Sequence, residues 1–284
     1  MTLLLQISDP HFGTELPDVV EALVRLVHDA APELVVLSGD ITQRARRKQF
    51  LAARAFVDRL HVAATLIIPG NHDIPLFNLG SRLFRPYANY RQAFGDELEP
   101  IFESDQWLVI TLNTTRFYRH KNGEVSAEQV ERVAARLEQA AETQLRVVVT
   151  HQPVAVTSVH DKTNLLHGCA AAVRRWSQAG ADLILGGHIH LPFVTALHER
   201  FATLPRKVWA VQAGTAVSSR VRFEAGNSVN LIRGVSSANR RRSALVERWD
   251  YVDGQHRFQR VDVIELHFDA SLERRLRDGT NSAR

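Results

Sequence analysis

Cysteine is nearly absent from this 284-residue chain, in which Cys169 is the only one. A lone cysteine forms no intramolecular disulfide and no site built from several thiolates. A bound metal ion must therefore be held by histidine, aspartate, glutamate or asparagine. A chain without disulfides fits a reducing compartment, and we predict a cytoplasmic location.

Long apolar runs are also missing. None approaches the roughly 20 residues that a membrane-spanning helix requires, so we predict no integral membrane segment. The apolar start, residues 2–7, is followed at once by Asp9 and has no basic segment before it; it predicts a buried first strand, not a signal peptide. Because no proline-rich or serine-rich linker interrupts the chain, residues 1–284 are predicted to form one domain.

Lysine is scarce, with four residues against 31 arginines, and the net charge is only +4. A nucleic-acid-binding protein usually gathers its basic residues in one patch. Two short basic clusters occur here, at residues 44–48 and 240–242. We interpret them as a solvated helix start and a surface loop, in preference to a phosphate-binding patch. The net charge and the basic clusters therefore do not indicate which substrate the protein binds.

The first two-thirds of the chain alternates short apolar runs with longer amphipathic ones. This alternation predicts a mostly parallel sheet with helices on both faces. The predicted strands are 3–7, 34–37, 65–68, 107–112, 147–150 and 183–185, and the predicted helices are 19–30, 49–60, 126–141 and 170–179.

The last third has a different pattern, in which strand-like runs follow one another with Gly, Pro or Asn between them. We predict that residues 191–284 form a second, β-rich sheet that packs on the first. This part of the chain could also supply a dimer surface, so a homodimer is left open. The predicted strands are 194–197, 207–212, 228–233, 244–252 and 258–268.

Residues 74–95 mix large apolar side chains with three arginines. Two interpretations stay open for this segment. It forms either a cap that helps to select substrate, or an ordinary helix and loop that pack on the fold.

Five short motifs follow predicted strands and supply three carboxylates, one amide and five of the 13 histidines. Sites in open parallel sheets form beyond the carboxyl ends of the strands. Imidazole and carboxylate groups bind Mn²⁺, Fe²⁺ and Zn²⁺. The pattern therefore predicts a site for two divalent metal ions at one sheet edge. Its residues are Asp9, His11, Asp40, Asn71, His72, Asp73, His151, His188 and His190.

The spacing within these motifs suggests how the ligands converge. Asp9 and His11 are two residues apart, as are His188 and His190. In a regular strand such pairs share a face. Gly39 precedes Asp40, where a glycine lets the backbone turn sharply and leaves room beside it.

The motifs Asp-x-His, Gly-Asp, Gly-Asn-His-Asp, His and Gly-His-x-His resemble those of the calcineurin-like metallophosphoesterase superfamily. Within it, the chain is most similar to bacterial class III cyclic-nucleotide and glycerophosphodiester phosphodiesterases. The resemblance implies an α/β fold, a four-layer α/β/β/α sandwich of two mixed sheets with flanking helices, with the metal site at strand carboxyl ends. It also implies hydrolysis of a small phosphodiester, such as a 3′,5′-cyclic nucleotide, by a hydroxide that bridges two metal ions.

The resemblance further implies roles for individual residues. His72 faces the phosphate and either protonates the leaving oxygen or stabilises the transition state, and Asp73 orients His72. The ligands of the first ion would be Asp9, His11 and His190, those of the second Asn71, His151 and His188, with Asp40 bridging both.

Other functions of the same superfamily remain as alternatives. A nuclease is the second choice, and a nucleotide-sugar or lipid-precursor pyrophosphatase is the third. A protein phosphatase is least favoured. A different class of function is a catalytically silent metal-binding scaffold, which predicts loss of ligands or of His72, and the sequence shows neither.

A few further residues lie near the motifs without a clear role. Each is either a contributor to the pocket or an ordinary loop or turn residue, and the sequence offers no geometry that separates the two. They are Asn113, His160, Asp161, His167, Arg220 and Arg222.

Overall fold

The computed structural model describes residues 2–201, 204–236 and 242–268. Within them, the strands form two six-stranded sheets. The strands are β1 (Leu3–Ile7), β2 (Leu34–Ser38), β3 (Ala64–Ile68), β4 (Ile101–Glu103), β5 (Trp107–Thr111), β6 (Leu145–Val149), β7 (Leu183–Gly186), β8 (Phe193–Ala196), β9 (Trp209–Gln212), β10 (Ser228–Ser236), β11 (Arg242–Val252) and β12 (Arg257–Phe268). The α-helices are α1 (Pro17–Ala30), α2 (Arg47–Leu60), α3 (Leu79–Phe84), α4 (Ala88–Phe94), α5 (Ala127–Glu138), α6 (Cys169–Ala179) and α7 (Leu197–Arg200).

Each sheet combines a parallel part with antiparallel strands: the parallel strands form one side of the first sheet and the centre of the second. The first sheet has the order β12-β11-β10-β1-β2-β3, in which β1, β2 and β3 are parallel. The second has the order β4-β5-β6-β7-β9-β8, in which β5, β6, β7 and β9 are parallel. The expected α/β fold with two mixed sheets is confirmed.

The division of strands between the sheets differs from the prediction. Residues 191–284 do not form the second sheet: β8 and β9 complete it, whereas β10, β11 and β12 extend the first. The reason is the free edge of β1, which β10 covers with an antiparallel pairing that places Leu5 opposite Leu231. Apolar periodicity shows that a strand is buried but does not identify its neighbour. The final residues, 269–284, lie outside the described part of the chain.

The two sheets pack face to face, and helices cover their outer sides. Leu4 and Val36 point inward and share a core with Val147 of the facing sheet. Alternate residues of β1, such as Leu5, point outward into a core with α1 and α2. Helices α5 and α6 cover the other sheet, where Trp176 is fully buried. These layers make the four-layer α/β/β/α sandwich.

The two basic clusters have different environments. Arg47 begins α2, as predicted for a helix start. Arg242 is instead a strand residue, and its guanidinium donates to the buried carboxylate of Asp182 at 2.8 Å. The prediction of a surface loop is therefore wrong for Arg242, because its guanidinium binds a buried carboxylate and the residue lies in a strand. Residues 240 and 241 lie outside the described ranges.

Residues 74–95 form two short helices with different roles. Helix α4 packs into the core through Tyr90, whose hydroxyl donates to the Ile67 carbonyl at 2.6 Å. Helix α3 exposes Leu79 and Leu83 to solvent. The segment is thus partly ordinary packing, and its role as a substrate-selecting cap stays a prediction. No helix in the described part of the chain is long and apolar enough to cross a lipid bilayer.

Candidate dinuclear metal centre

All five motifs begin just beyond the carboxyl end of a strand, as the sequence predicts. The first three follow β1, β2 and β3 of one sheet, and the last two follow β6 and β7 of the other. Because the two sheets face each other, five loops from both sheets meet at one end of the sandwich.

The ligand side chains converge through left-handed backbone, not through strand alternation. The paired residues lie in loops beyond the strands, so the shared face of a regular strand is not what brings them together. Non-glycine residues seldom adopt positive φ, which costs on the order of 1–3 kcal/mol each when the surroundings impose it. The predicted ligands in this conformation are Asp9 (φ 50°), His11 (45°), Asp40 (50°), His188 (72°) and His190 (56°).

Two glycines make room for this convergence. Gly39 has φ of 100°, and a Cβ there would lie 2.3 Å from Nδ1 of His151. A Cβ on Gly187 would lie 1.9 Å from Oγ of Ser8. Both positions exclude any side chain, which confirms the prediction made for Gly39.

The first cluster comprises Asp9, His11 and His190, whose ligand atoms lie within 4.8 Å of one another. Oδ1 of Asp9 is 3.3 Å from Nε2 of His190 and 3.8 Å from Nε2 of His11. Oδ2 of Asp9 instead accepts from the Ser8 hydroxyl at 2.6 Å and from the His188 amide at 2.9 Å. These two donors fix the carboxylate so that Oδ1 faces the cluster.

The second cluster comprises Asp40, His151 and His188. Nε2 of His151 is 3.2 Å from Oδ1 of Asp40 and 3.3 Å from Oδ1 of Asn71. The other oxygen of Asp40, Oδ2, lies 3.8 Å from Nε2 of His11 in the first cluster. Asp40 therefore directs one carboxylate oxygen toward each cluster.

Backbone carbonyls set the orientation of two of these imidazoles. Nδ1 of His151 donates to the Ser38 carbonyl at 2.9 Å, and Nδ1 of His190 donates to the Arg220 carbonyl at 2.6 Å. A carbonyl only accepts, so each Nδ1 carries a proton and each Nε2 is the ring nitrogen that faces its cluster.

Burial keeps two further imidazoles neutral. It lowers the pKa of His11 to about 3 and that of His188 to about 3, the latter with a contribution from His151. Burial opposes ionisation of Asp9, yet the neighbouring His190 holds the pKa of that carboxyl well below its usual range.

Against the opposing effect of burial, the Asp40 carboxylate raises the pKa of His151 to about 9, and the Asp9 carboxylate raises the pKa of His190. A divalent cation bound in each cluster would replace the protons that these two rings otherwise hold toward the carboxylates.

Several buried polar atoms in the clusters lack a hydrogen-bond partner among the described residues. They include Oδ1 of Asp9 and both ring nitrogens of His188. An unpaired buried polar atom costs about 1–3 kcal/mol. Because these atoms converge with other lone pairs, divalent cations fit the site, one in each cluster.

His72 belongs to neither cluster. Its Nδ1 donates to the Gln43 carbonyl at 2.9 Å, and its Nε2 is 3.2 Å from Nη1 of Arg220. The ring makes an edge contact with His11, with centroids 4.9 Å apart. Nε2 of His72 is therefore the ring atom that faces the cleft above the clusters.

Asp73 does not orient His72, contrary to expectation. Its Oδ1 accepts from the amide and hydroxyl of Thr42 at 2.7 and 2.8 Å. Its Oδ2 accepts from the amides of Ile41 and Gly70, both at 2.9 Å. The buried carboxylate ties the loop after β2 to the loop after β3, and the Gln43 carbonyl takes the role expected of Asp73.

A cleft of about 420 Å³ lies over the two clusters. Its lining includes Arg220 and Asp161 from the less certain candidates, together with His120, Lys121 and Asn164. None of the last three was a candidate on the sequence alone, because they belong to segments outside the five motifs.

The remaining candidates lie outside the cleft lining. Arg222 pairs with Asp161 at 3.0 Å and so neutralises that carboxylate. Asn113 holds a turn, where its side-chain oxygen accepts from the Thr115 amide at 3.0 Å. His160 is exposed, and His167 contributes its backbone to a bridge with Glu124.

Comparison with solved structures identifies proteins that share this fold. A purple acid phosphatase, PPD1, from yellow lupin (Lupinus luteus) superposes with a TM-score of 0.70 at 12% identity, over 94% of this chain and 53% of that one. A dimetal phosphatase from Danio rerio has a TM-score of 0.68 at 13% identity, over 94% of this chain and 99% of that one. At these identities the likeness shows the fold alone, and the chain spans about half the length of the lupin protein. A search of curated proteins returns no match.

The family comparison is more specific. The model of the calcineurin-like phosphoesterase family matches residues 2–192, which include all five motifs and more than half of the chain. The chain therefore belongs to the calcineurin-like phosphoesterase family.

Proposed function

We propose that this protein is a metal-dependent phosphoric ester hydrolase that cleaves a small phosphodiester. One observation carries the proposal: two clusters of metal-ligating side chains share Asp40 beneath a cleft that also holds His72 and Arg220. A scaffold would not need the last two residues. Family membership supports the same chemistry.

The ligand assignment follows the two clusters. Bound divalent cations supply Lewis acidity, which acidifies water and neutralises phosphoryl oxygens. The identity of the ions is open between Mn²⁺, Fe²⁺ and Zn²⁺. We assign Asp9, His11 and His190 to the first ion, Asn71, His151 and His188 to the second, and Asp40 to both.

The cleft residues would bind and orient the ester. Arg220 and Lys121 place positive charge in the cleft lining, where it would attract the anionic phosphate. Nε2 of His72 faces the same space and, when the ring carries a second proton there, would donate it to, or hydrogen-bond with, the leaving oxygen. Asp73 is a positioning residue, because it fixes the loops that carry Asp40 and Asn71.

The size of the cleft favours a small substrate. Pockets for small molecules usually measure about 300–1,000 Å³, and this one measures about 420 Å³. A 3′,5′-cyclic nucleotide or another small phosphodiester is our first choice. A phosphomonoester is a second candidate, since the two similar structures are named phosphatases. The nuclease and pyrophosphatase alternatives, the oligomeric state and the cytoplasmic location stay predictions.

Metal removal tests the proposal. After treatment with EDTA, we expect hydrolysis of bis-p-nitrophenyl phosphate to stop and to return with Mn²⁺, because the clusters hold the cations on which the reaction depends. A panel of cyclic AMP, a glycerophosphodiester, p-nitrophenyl phosphate and single-stranded DNA, compared by kcat/KM, then ranks the substrates. Absence of activity with every divalent ion would favour the scaffold.

Arg220 offers a second test, directed at the anionic substrate. Arg220→Gln removes a cleft charge 3.2 Å from His72. Since a hydrogen bond to a charged group contributes about 1.5–3 kcal/mol, we expect kcat/KM to fall by about 10–100-fold while two metal ions remain bound. Steady-state kinetics and metal analysis check this result. Arg175→Gln is the control, because Arg175 is outside the cleft lining and pairs with Glu131 and Glu138 of α5. Equal losses in both variants would contradict a specific role for Arg220.

A further inference from the structure

One side of the cleft carries an unusual concentration of exposed apolar side chains. In the segment that follows the third motif, Phe77 is 81% exposed, Leu79 74%, Leu83 55% and Phe84 80%. Phe117 and Tyr118 of a neighbouring loop are exposed as well. Grouped exposed apolar residues mark an interaction site, whereas scattered ones do not. We call the segments 43–48, 74–87 and 116–121 the cleft rim.

The rim is fastened together and adjoins the cleft. The Arg82 guanidinium donates to the carbonyls of Pro75 at 3.2 Å and Arg119 at 2.8 Å, which ties α3 to the loop 116–121. The hydroxyls of Tyr87 and Thr115 are 2.7 Å apart and form a second tie. The next residues of that loop, His120 and Lys121, line the cleft. The apolar side chains are therefore held in a defined position at its mouth.

The charge of the rim has one sign. Residues 41–57, 74–95 and 106–123 contain no aspartate or glutamate. A pocket of about 600 Å³ beside α3 is lined by four arginines, together with Phe77 and other rim residues. None of the four forms an ion pair with an acidic residue of the described ranges. The four are Arg44, Arg46, Arg47 and Arg85.

The apolar and basic groups are interleaved. The Arg44 guanidinium carbon lies 5.5 Å from the Phe77 ring centroid. Leu79 and Leu83 are one helical turn apart on α3 and so share a face. Such a surface matches an interface between water and lipid, where apolar side chains enter the acyl boundary and arginines meet anionic headgroups.

We propose that the cleft rim binds peripherally to an anionic lipid surface, so that the cleft opens beside the headgroups. Two aliphatic side chains, Leu79 and Leu83, favour lipid over single-stranded nucleic acid, because bases stack on aromatic rings and not on leucine. The inference does not depend on the proposed hydrolysis, since it concerns binding alone.

Vesicle sedimentation of the metal-loaded full chain tests this inference. We expect at least about fivefold more binding to phosphatidylcholine vesicles containing about 30% phosphatidylglycerol than to pure phosphatidylcholine, and a decrease with added salt. The variants Phe77→Ser with Phe84→Ser, and Arg46→Glu with Arg85→Glu, should each lower binding at least about fivefold. Their turnover of soluble bis-p-nitrophenyl phosphate and their melting temperatures should stay unchanged, so a failure of hydrolysis and a failure of membrane binding are separate results.

Matched controls lie on other faces of the protein. Val261→Ser with Val263→Ser removes exposed apolar groups from β12, and Arg174→Glu reverses an exposed charge on α6. We expect both to bind vesicles as the unmodified protein does. Equal binding to both vesicle types, or rim variants that bind normally, would overturn the proposal. Loss of oligonucleotide binding in the rim variants, without vesicle binding by the parent protein, would assign the rim to nucleic acid instead.

Discussion

Asp40→Asn is expected to give the largest loss of activity of any single substitution in the site. Oδ1 of Asp40 faces His151 at 3.2 Å and Oδ2 faces His11 at 3.8 Å. An amide supplies only one acceptor atom and no charge, so the variant could no longer serve both clusters. We expect bound metal to fall from about two ions to fewer than one, and kcat/KM to fall at least about 10³-fold, because metal ions supply several kcal/mol of transition-state stabilisation.

The matched control for Asp40→Asn is Asp161→Asn. Asp161 is another buried carboxylate of the cleft lining, but it belongs to neither cluster and pairs with Arg222. Metal analysis by mass spectrometry and kinetics with bis-p-nitrophenyl phosphate compare the two. Retention of two ions in Asp40→Asn, with activity within about tenfold, would show that Asp40 does not bridge the clusters.

His72→Ala should separate chemistry from metal binding. The imidazole belongs to neither cluster, and its Nδ1 bonds to the Gln43 carbonyl. We expect two metal ions to remain while turnover falls at least about 10²-fold, the usual scale for a general acid–base group. If His72 protonates the leaving oxygen, the loss will be larger for an alkyl diester than for bis-p-nitrophenyl phosphate, because nitrophenolate leaves without a proton.

Two further variants are controls for His72→Ala. His160→Ala removes an exposed imidazole from a nearby loop and should leave turnover unchanged. His188→Ala removes a member of the second cluster and should lower the metal content. If His72→Ala loses its metal ions as His188→Ala does, the role assigned to His72 is wrong. An equal loss for good and poor leaving groups would instead indicate transition-state stabilisation without proton transfer.

Most strands, the four longest helices and the positions of the motifs could be predicted from the sequence alone, whereas β4 and the short helices α3, α4 and α7 were not predicted. Apolar runs marked β1, β2 and β3 closely, and Ser126 and Gln129, whose spacing is that of a capping box, form its reciprocal hydrogen bonds at the start of α5. These features are local, because burial of a strand and capping of a helix depend on residues only a few positions apart.

Strand pairing was not predictable in the same way. The β-rich last third was expected to form its own sheet, but β10 pairs with β1 across more than 200 residues of chain. Alternation of apolar residues fixes which face of a strand is buried, yet several edges would accept that strand equally well. Only the packed structure selects one of them.

The role of Asp73 in the site was likewise not predictable from the sequence. Adjacency in sequence suggested that it orients His72, but its carboxylate turns toward the backbone amides of Ile41, Thr42 and Gly70. Three backbone amides and one hydroxyl give this carboxylate four hydrogen bonds, more than the one that the neighbouring imidazole could donate. The partner of His72 is instead Gln43, a residue that no motif marks.

The sequence by itself therefore determined the chemical identity of the centre: which side chains are present, in what order, and at which strand ends. The tertiary structure decided how they meet. Left-handed backbone at Asp9, His11 and Asp40 turns the side chains toward one another, and the facing sheets bring His151 and His188 against them. Such conformations are unfavourable in isolation and persist only because the surrounding packing imposes them, so no local pattern predicts them.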